Sequence, residues 1–159
     1  MERRPLSPCR IRGLLETETT GCLSISRGDL PPHSVPVHFV LMEENLFIHC
    51  RPGGEKFRLA KEGRQAAFTL WRQEQIVPHP DGFPCRTNTA YQSVLVSGQL
   101  EVVEDPGLRR RALEAIAAKY TPHLKGVPLP QATVERTAVL VLQIDQLSGI
   151  ANEEASSPA

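Results

Sequence analysis

Three short segments between residues 21 and 50 place apolar side chains at every second position, with turn residues between them. A period of two is that of a half-buried strand, whose side chains point alternately to opposite faces. Residues 21–26 (GCLSIS) are the first segment, and Arg27-Gly28-Asp29 turns the chain. Residues 33–41 (HSVPVHFVL) alternate strictly, with Val35, Val37, Phe39 and Leu41 to one side and Ser34, Pro36 and His38 to the other. Pro36 has no N–H to give a ladder, which predicts an edge strand or a local gap in the pairing there. Glu43-Glu44-Asn45 reads as a hairpin turn, and residues 46–50 (LFIHC) return. Together these segments predict a β-meander.

The rest of the chain extends this pattern. Ser7 and Pro8 suit a helix start, after which Ile11, Leu14 and Leu15 share one face. Residues 65–71 (QAAFTLW) read as a buried strand ending in a core Trp71, and 79–88 as a loop of functional length. Residues 89–103 form a long strand with Val94, Val96, Leu100 and Val102 on one side and a bend or bulge at Gly98. Asp105-Pro106 starts a helix whose Leu108, Ala112, Ile116 and Tyr120 make a buried stripe. A loop over 121–136 and an apolar strand over 138–144 close the domain. The expected fold is mainly β (α+β), six strands in a closed barrel with a few peripheral helices. Its organisation is a helical arm over 1–20, the barrel over 21–150 and a disordered tail over 151–159.

Charge and cysteine usage exclude several function classes. Lys+Arg and Asp+Glu both number 18, so the basic excess of a nucleic-acid binder is absent. No apolar run approaches the ~18 residues of a membrane span, and the basic N-terminus lacks the apolar core of a secretory signal. Cys9, Cys22, Cys50 and Cys85 are scattered with no CxxC pair. That argues against a zinc ribbon or a thioredoxin motif and for reduced thiols in the cytoplasm.

Chemistry concentrates in residues 47–61 (FIHCRPGGEKFRLAK). A strand ends at His49 and Arg51, and Gly53-Gly54 lead into a helix carrying Lys56 in its first turn. From Arg51 to Arg64 there are five cations and two anions, in a chain of zero net charge. Such a turn lets an anion approach free N–H groups, so it is a candidate phosphate pocket, set against an ordinary solvated helix.

The segment PPHSVPVHFVLMEENLFIHCRPGGEKFRLAKEGRQAAFTLW resembles the core of the split-barrel flavoproteins related to pyridoxamine 5′-phosphate oxidase. It is most similar to the nitroimidazole-resistance branch of that family. The resemblance rests on Val35-Pro36-Val37-His38-Phe39, Phe47-Ile48-His49, Gly54-Glu55-Lys56, Cys85, Tyr91-Gln92-Ser93-Val94 and Gly98. It runs over about residues 14–144. What it implies is an FMN-binding split β-barrel working as a homodimer, with the flavin between subunits. Ser34, Val35, Pro36 and Val37 would face the isoalloxazine edge, Ile48 and His49 the ribityl-phosphate, and Lys56 the phosphate. Ser93 would contact the ring from the partner subunit. Arg51 as a second phosphate ligand is an inference from charge. The Arg-x-His ending of true pyridoxamine phosphate oxidases is absent, and Gly149-Ile150 stands where the branch commonly has Gly-Lys.

The expected activity is that of a flavin-dependent oxidoreductase on a small organic substrate. A reduced nicotinamide would deliver hydride, with an acceptor such as a nitroaromatic, and no catalytic residue is assigned. The alternatives are a binding protein that holds FMN or haem without turnover, or a reductase using the deazaflavin F420. His38 suits either the flavin pocket or a surface strand, and Cys85 is a loop thiol that can line the pocket. His33, His79 and His123 read as exposed loop residues. A metal site from His49, Cys50 and Cys85 is disfavoured because adjacent strand residues face opposite ways.

Overall fold

The structure, a computed structural model, describes residues 2–153. Its strands are β1 (Glu2–Pro5), β2 (Gly21–Arg27), β3 (Leu30–Val37), β4 (Val40–Met42), β5 (Asn45–Cys50), β6 (Gln65–Val77), β7 (Asn88–Val102) and β8 (Ala138–Glu153). Helices α1 (Pro8–Thr17), α2 (Glu55–Lys61), α3 (Pro106–Tyr120) and α4 (Gln131–Arg136) connect them. The sheet is antiparallel, in the order β3-β2-β6-β7-β8-β5-β4, with β1 added beside β8. Among the described residues no helix is long and apolar enough to cross a membrane.

The closed barrel expected from periodicity is corrected to an open one, since β3 and β4 do not pair. The sheet nevertheless has to curl. A flat sheet would set its first and seventh strands about 29 Å apart, at ~4.8 Å per spacing. Only His38 and Phe39 join β3 to β4, and the three residue steps from Val37 to Val40 span at most about 11 Å. The two edges therefore meet at this corner, giving a split barrel. Pro36 lies on the edge strand β3, as its missing N–H requires.

Residues 33–41, expected as one strand, break because Phe39 finds other partners. Its N–H donates to the Tyr120 hydroxyl at 2.8 Å. That hydroxyl lies 2.9 Å from the Phe39 carbonyl and 2.7 Å from the Thr19 carbonyl, which share its one proton. The Phe39 ring is fully buried, edge-on to Phe68 at 4.6 Å. Tyr120, expected only in an apolar stripe, thus fastens the seam of the barrel.

The remaining elements follow local chemistry. Ser7 caps α1 and Asp105 caps α3, each followed by proline at the helix start. At Gly98 the β7–β8 register shifts, and a Cβ there would stand 1.7 Å from the Gln143 carbonyl oxygen, so only glycine fits. The barrel interior is filled by Leu23, Ile25, Leu46, Ile48, Phe68 and their neighbours. A second cluster under α3 and α4 holds Phe47, Ala112, Leu113, Val134 and Val139.

Several expectations are revised. Strand β1 was unforeseen, and α4 occupies part of the 121–136 loop. Residues 151–153 continue β8, whereas the rest of the expected tail lies outside the described residues. Strand β6 runs six residues past Trp71, from Arg72 to Val77. Trp71 is 64% exposed, because it faces the outer side of the sheet, opposite to Phe68 and Leu70.

Candidate functional site

Where the barrel edges meet, a cleft of about 350 Å³ opens between Thr20, Pro36, Val37, His38, His49 and Lys56. Each wall has a separate local cause. Thr20 precedes β2, Pro36 and Val37 end β3, and His38 stands on the corner itself. His49 sits near the end of β5 on the side away from the core, since Leu46 and Ile48 face inward. Lys56 comes from the first turn of α2. The His38 ring stacks on Tyr120, with centroids 4.3 Å apart and an interplanar angle of 19°.

Charge in the cleft is one-sided. No carboxylate lines it. The anions on α2 are already engaged: Glu55 pairs with Arg58 at 2.9 Å and lies 3.5 Å from Arg27, while Glu62 pairs with Arg58 and Arg64. The apparent excess of five cations therefore resolves into paired arginines and unpaired groups. Among the described residues Lys56 and Arg51 have no ion-pair partner, and Lys61 lies over the Phe57 ring. The His49 imidazole is held below its ordinary pKa, first by loss of water, then by the nearby His38 and Lys56. A group whose neighbours all disfavour a positive charge is one that an anion would stabilise. Burial raises the Cys50 thiol, which keeps it protonated and unreactive.

The structure brings together Pro36, Val37, His49 and Lys56 of the expected cofactor residues, and adds Thr20 and His38. Ser34 and Val35 lie further back on β3, where Ser34 Oγ is 2.8 Å from Ser24 Oγ and Val35 packs against the core. Ile48 is wholly buried in the barrel interior, so its side chain does not reach the cleft. Arg51 is exposed beyond the end of β5, outside the cleft lining. Ser93 stands on β7 in a cross-strand row between Trp71 and Ile150, on the outer face of the sheet. Cys85 is exposed in the β6–β7 loop and lines none of this cleft. Among the described residues no cluster of His, Cys, Asp or Glu could hold a metal. Thr20 carried no sequence signal, because only the curl of the sheet brings it beside His49.

A family model described as pyridoxamine 5′-phosphate oxidase matches residues 9–151. No curated protein matches the sequence significantly. The fold is similar to that of the FAD and heme binding protein from Mycobacterium smegmatis, with a TM-score of 0.85 and 23% identity over 100% of this chain and 77% of the other. It is also similar to the flavocytochrome Anf3 from Azotobacter vinelandii, with a TM-score of 0.79 and 16% identity over 95% and 69% of the two chains. A third similar structure, from Bacteroides thetaiotaomicron, is described as a 5-nitroimidazole antibiotic resistance protein, with a TM-score of 0.78 and 21% identity over 96% and 92%. At these identities the likeness is one of fold.

Proposed function

The chain belongs to the pyridoxamine 5′-phosphate oxidase family, and from that premise we propose that it is a flavin-binding oxidoreductase using FMN or a larger flavin nucleotide. The observation that carries this reading is the convergence of His38, His49 and Lys56, from three separate elements, on a cleft without a carboxylate. Such a donor set suits a phosphate. Lys56 supplies a permanent charge and the imidazoles supply N–H donors. The outward backbone groups of the edge strand β3, over Ser34–Val37, are free to meet the polar edge of a flat ring. Proteins of similar fold are described as binding FAD and heme. When bound, the flavin supplies two-electron transfer from a reduced nicotinamide to an electron-poor small molecule such as a nitroaromatic. The protein's part is to anchor the phosphate, orient the ring and leave one ring face open to substrate.

The reading includes a homodimer. On the outer sheet face Trp71 is 64% exposed, Leu95 51% and Ile150 45%, while Val94 and Val96 on the opposite face are buried. Ser93 lies between Trp71 and Ile150, so a second copy seated on this face would cover it, and the family resemblance implies that Ser93 then contacts the flavin ring of the other copy. A specific interface of this kind buries roughly 1,200–2,000 Å² or more. Four free cysteines suit a reducing cytoplasm.

A haem-binding protein is the second reading, favoured by two imidazoles, His38 and His49, on one cleft. The absorption spectrum of the freshly purified protein separates the two. Bands in the 370–450 nm region with flavin shape support the first, and a Soret band supports the second. Oxidation of reduced nicotinamide, with and without a nitroaromatic, then tests for turnover.

A further inference from the structure

A second cavity lies on the other flank of α2, where the β7–α3 and α4–β8 junctions meet that helix. It measures about 210 Å³, and its lining includes Phe57, Lys61, Val102, Glu104, Arg109 and Glu135. Lys56 turns to the cleft, while Phe57 and Lys61, four residues apart, share the face that meets this cavity. Phe57 and Val102 pack against the barrel core and give the cavity an apolar wall.

The charged part of the lining is balanced and yet unpaired. Two cations and two carboxylates surround one small space. Among the described residues none of these four groups closes an ion pair. Lys61 lies over the Phe57 ring at 5.8 Å. Arg109 Nε is buried without an acceptor, and its Nη2 reaches the Glu104 backbone carbonyl, at 3.5 Å, rather than the Glu104 carboxylate. Glu135 accepts from the Gln131 side-chain amide at 2.7 Å. By contrast the neighbouring Arg58, Arg110 and Arg111 all pair with carboxylates. A buried N–H without a partner is uncommon in native proteins and points to a missing acceptor.

A simple anion entering here would meet Glu104 and Glu135, and a simple cation would meet Lys61 and Arg109. A molecule carrying one charge of each sign satisfies both halves of the lining. Pockets for drug-sized ligands run to roughly 300–1,000 Å³, so this cavity suits something smaller. We propose that it binds a free amino acid with an apolar side chain. Lys61 and the Arg109 guanidinium donate to the carboxylate of that amino acid, and Glu104 and Glu135 accept from its ammonium group. Its side chain lies against Phe57 and Val102. The site is separate from the cleft and holds whether or not a flavin binds there.

Thermal denaturation of the full chain with each standard amino acid tests this, and titration calorimetry then measures those that stabilise. An apolar amino acid at about ten times its Kd should raise the melting temperature by roughly 3–6 °C. Analogues lacking one charged group, such as isocaproate and isoamylamine for leucine, should bind at least about ten-fold more weakly. Lys61→Ala and Glu104→Ala, both at exposed positions, should cost a similar factor. Lys125→Ala, exposed and outside the cavity, should cost nothing. No stabilisation by any apolar amino acid overturns the site. So does an acid or amine analogue that binds as tightly as the amino acid, or a loss in Lys125→Ala equal to that in Lys61→Ala.

Discussion

Replacing Lys56 with alanine removes the one permanent charge that lines the cleft. Within the described residues Lys56 has no ion-pair partner, so its loss should leave the melting temperature close to wild type. Bound flavin is where the cost falls. A charge-assisted bond to phosphate contributes about 1.5–3 kcal/mol, which is roughly a ten- to hundred-fold loss of FMN affinity. Lys61→Ala is the control, because Lys61 faces the other flank of α2 and should keep FMN. Titration of each variant with FMN, followed by flavin fluorescence, measures both. Equal affinities, or equal losses, would refute the anchoring of the phosphate at Lys56.

The same substitution has a readout that needs no flavin. The His49 pKa is lowered by burial first, then by His38, then by Lys56. In Lys56→Ala the imidazole should therefore titrate at higher pH than in wild type while staying below the unperturbed ~6.5, since burial persists. Proton NMR of the His49 ring checks this. Because the folded pKa is depressed, the unfolded state binds the extra proton. Wild-type stability should accordingly fall as pH drops through the region below ~6.5, and the variant should show a shallower fall. A phosphate in the cleft reverses the sign, so FMN should bind more tightly as pH falls over that range.

Three further outcomes are expected. Glu43 and Glu44 both adopt positive φ, 50° and 60°, in the two-residue β4–β5 turn, where Asn-Gly is favoured. Glu43→Asn with Glu44→Gly should raise stability by about 1–2 kcal/mol in chemical denaturation, because the ion pairs lost to Arg111 and Arg12 are exposed ones worth at most ~1 kcal/mol each. Leu95→Asp should turn a dimer into a 17.6 kDa monomer by light scattering, and a wild type that is already monomeric would defeat the proposed interface. Lys119, which lies 3.8 Å over the Phe39 ring and donates to the Leu15 carbonyl, has its pKa lowered by burial to about 8. Its folded pKa lies below the unfolded one, so between about pH 8 and 10.5 wild type should gain stability relative to Lys119→Met, and a parallel pair of pH profiles would contradict that.

Features that depend on neighbours in the chain could be read from the sequence, and features that depend on the curl of the sheet could not. Alternation, caps and the Gly98 bulge are local, and so is the passage from His49 through two glycines to Lys56. The break at His38-Phe39 is different. Strict alternation over 33–41 is the pattern of one strand, yet the Phe39 backbone is satisfied by Tyr120, 81 residues away. That one hydroxyl ends β3 and starts β4, and it supports a seam where Thr20 and His38 join His49. Ile48 shows the converse. Next to His49 it shares the site in sequence, but the period of two turns its side chain into the core. Trp71 ends an apolar run, and an apolar run alone cannot say which face of a sheet is covered. Its pairing with Ser93, and that of Ser93 with Ile150, sets it on the outer side. The apolar character of 65–71 is thus divided between two purposes: Phe68 and Leu70 build this chain's core, while Trp71 is suited to meet a second copy.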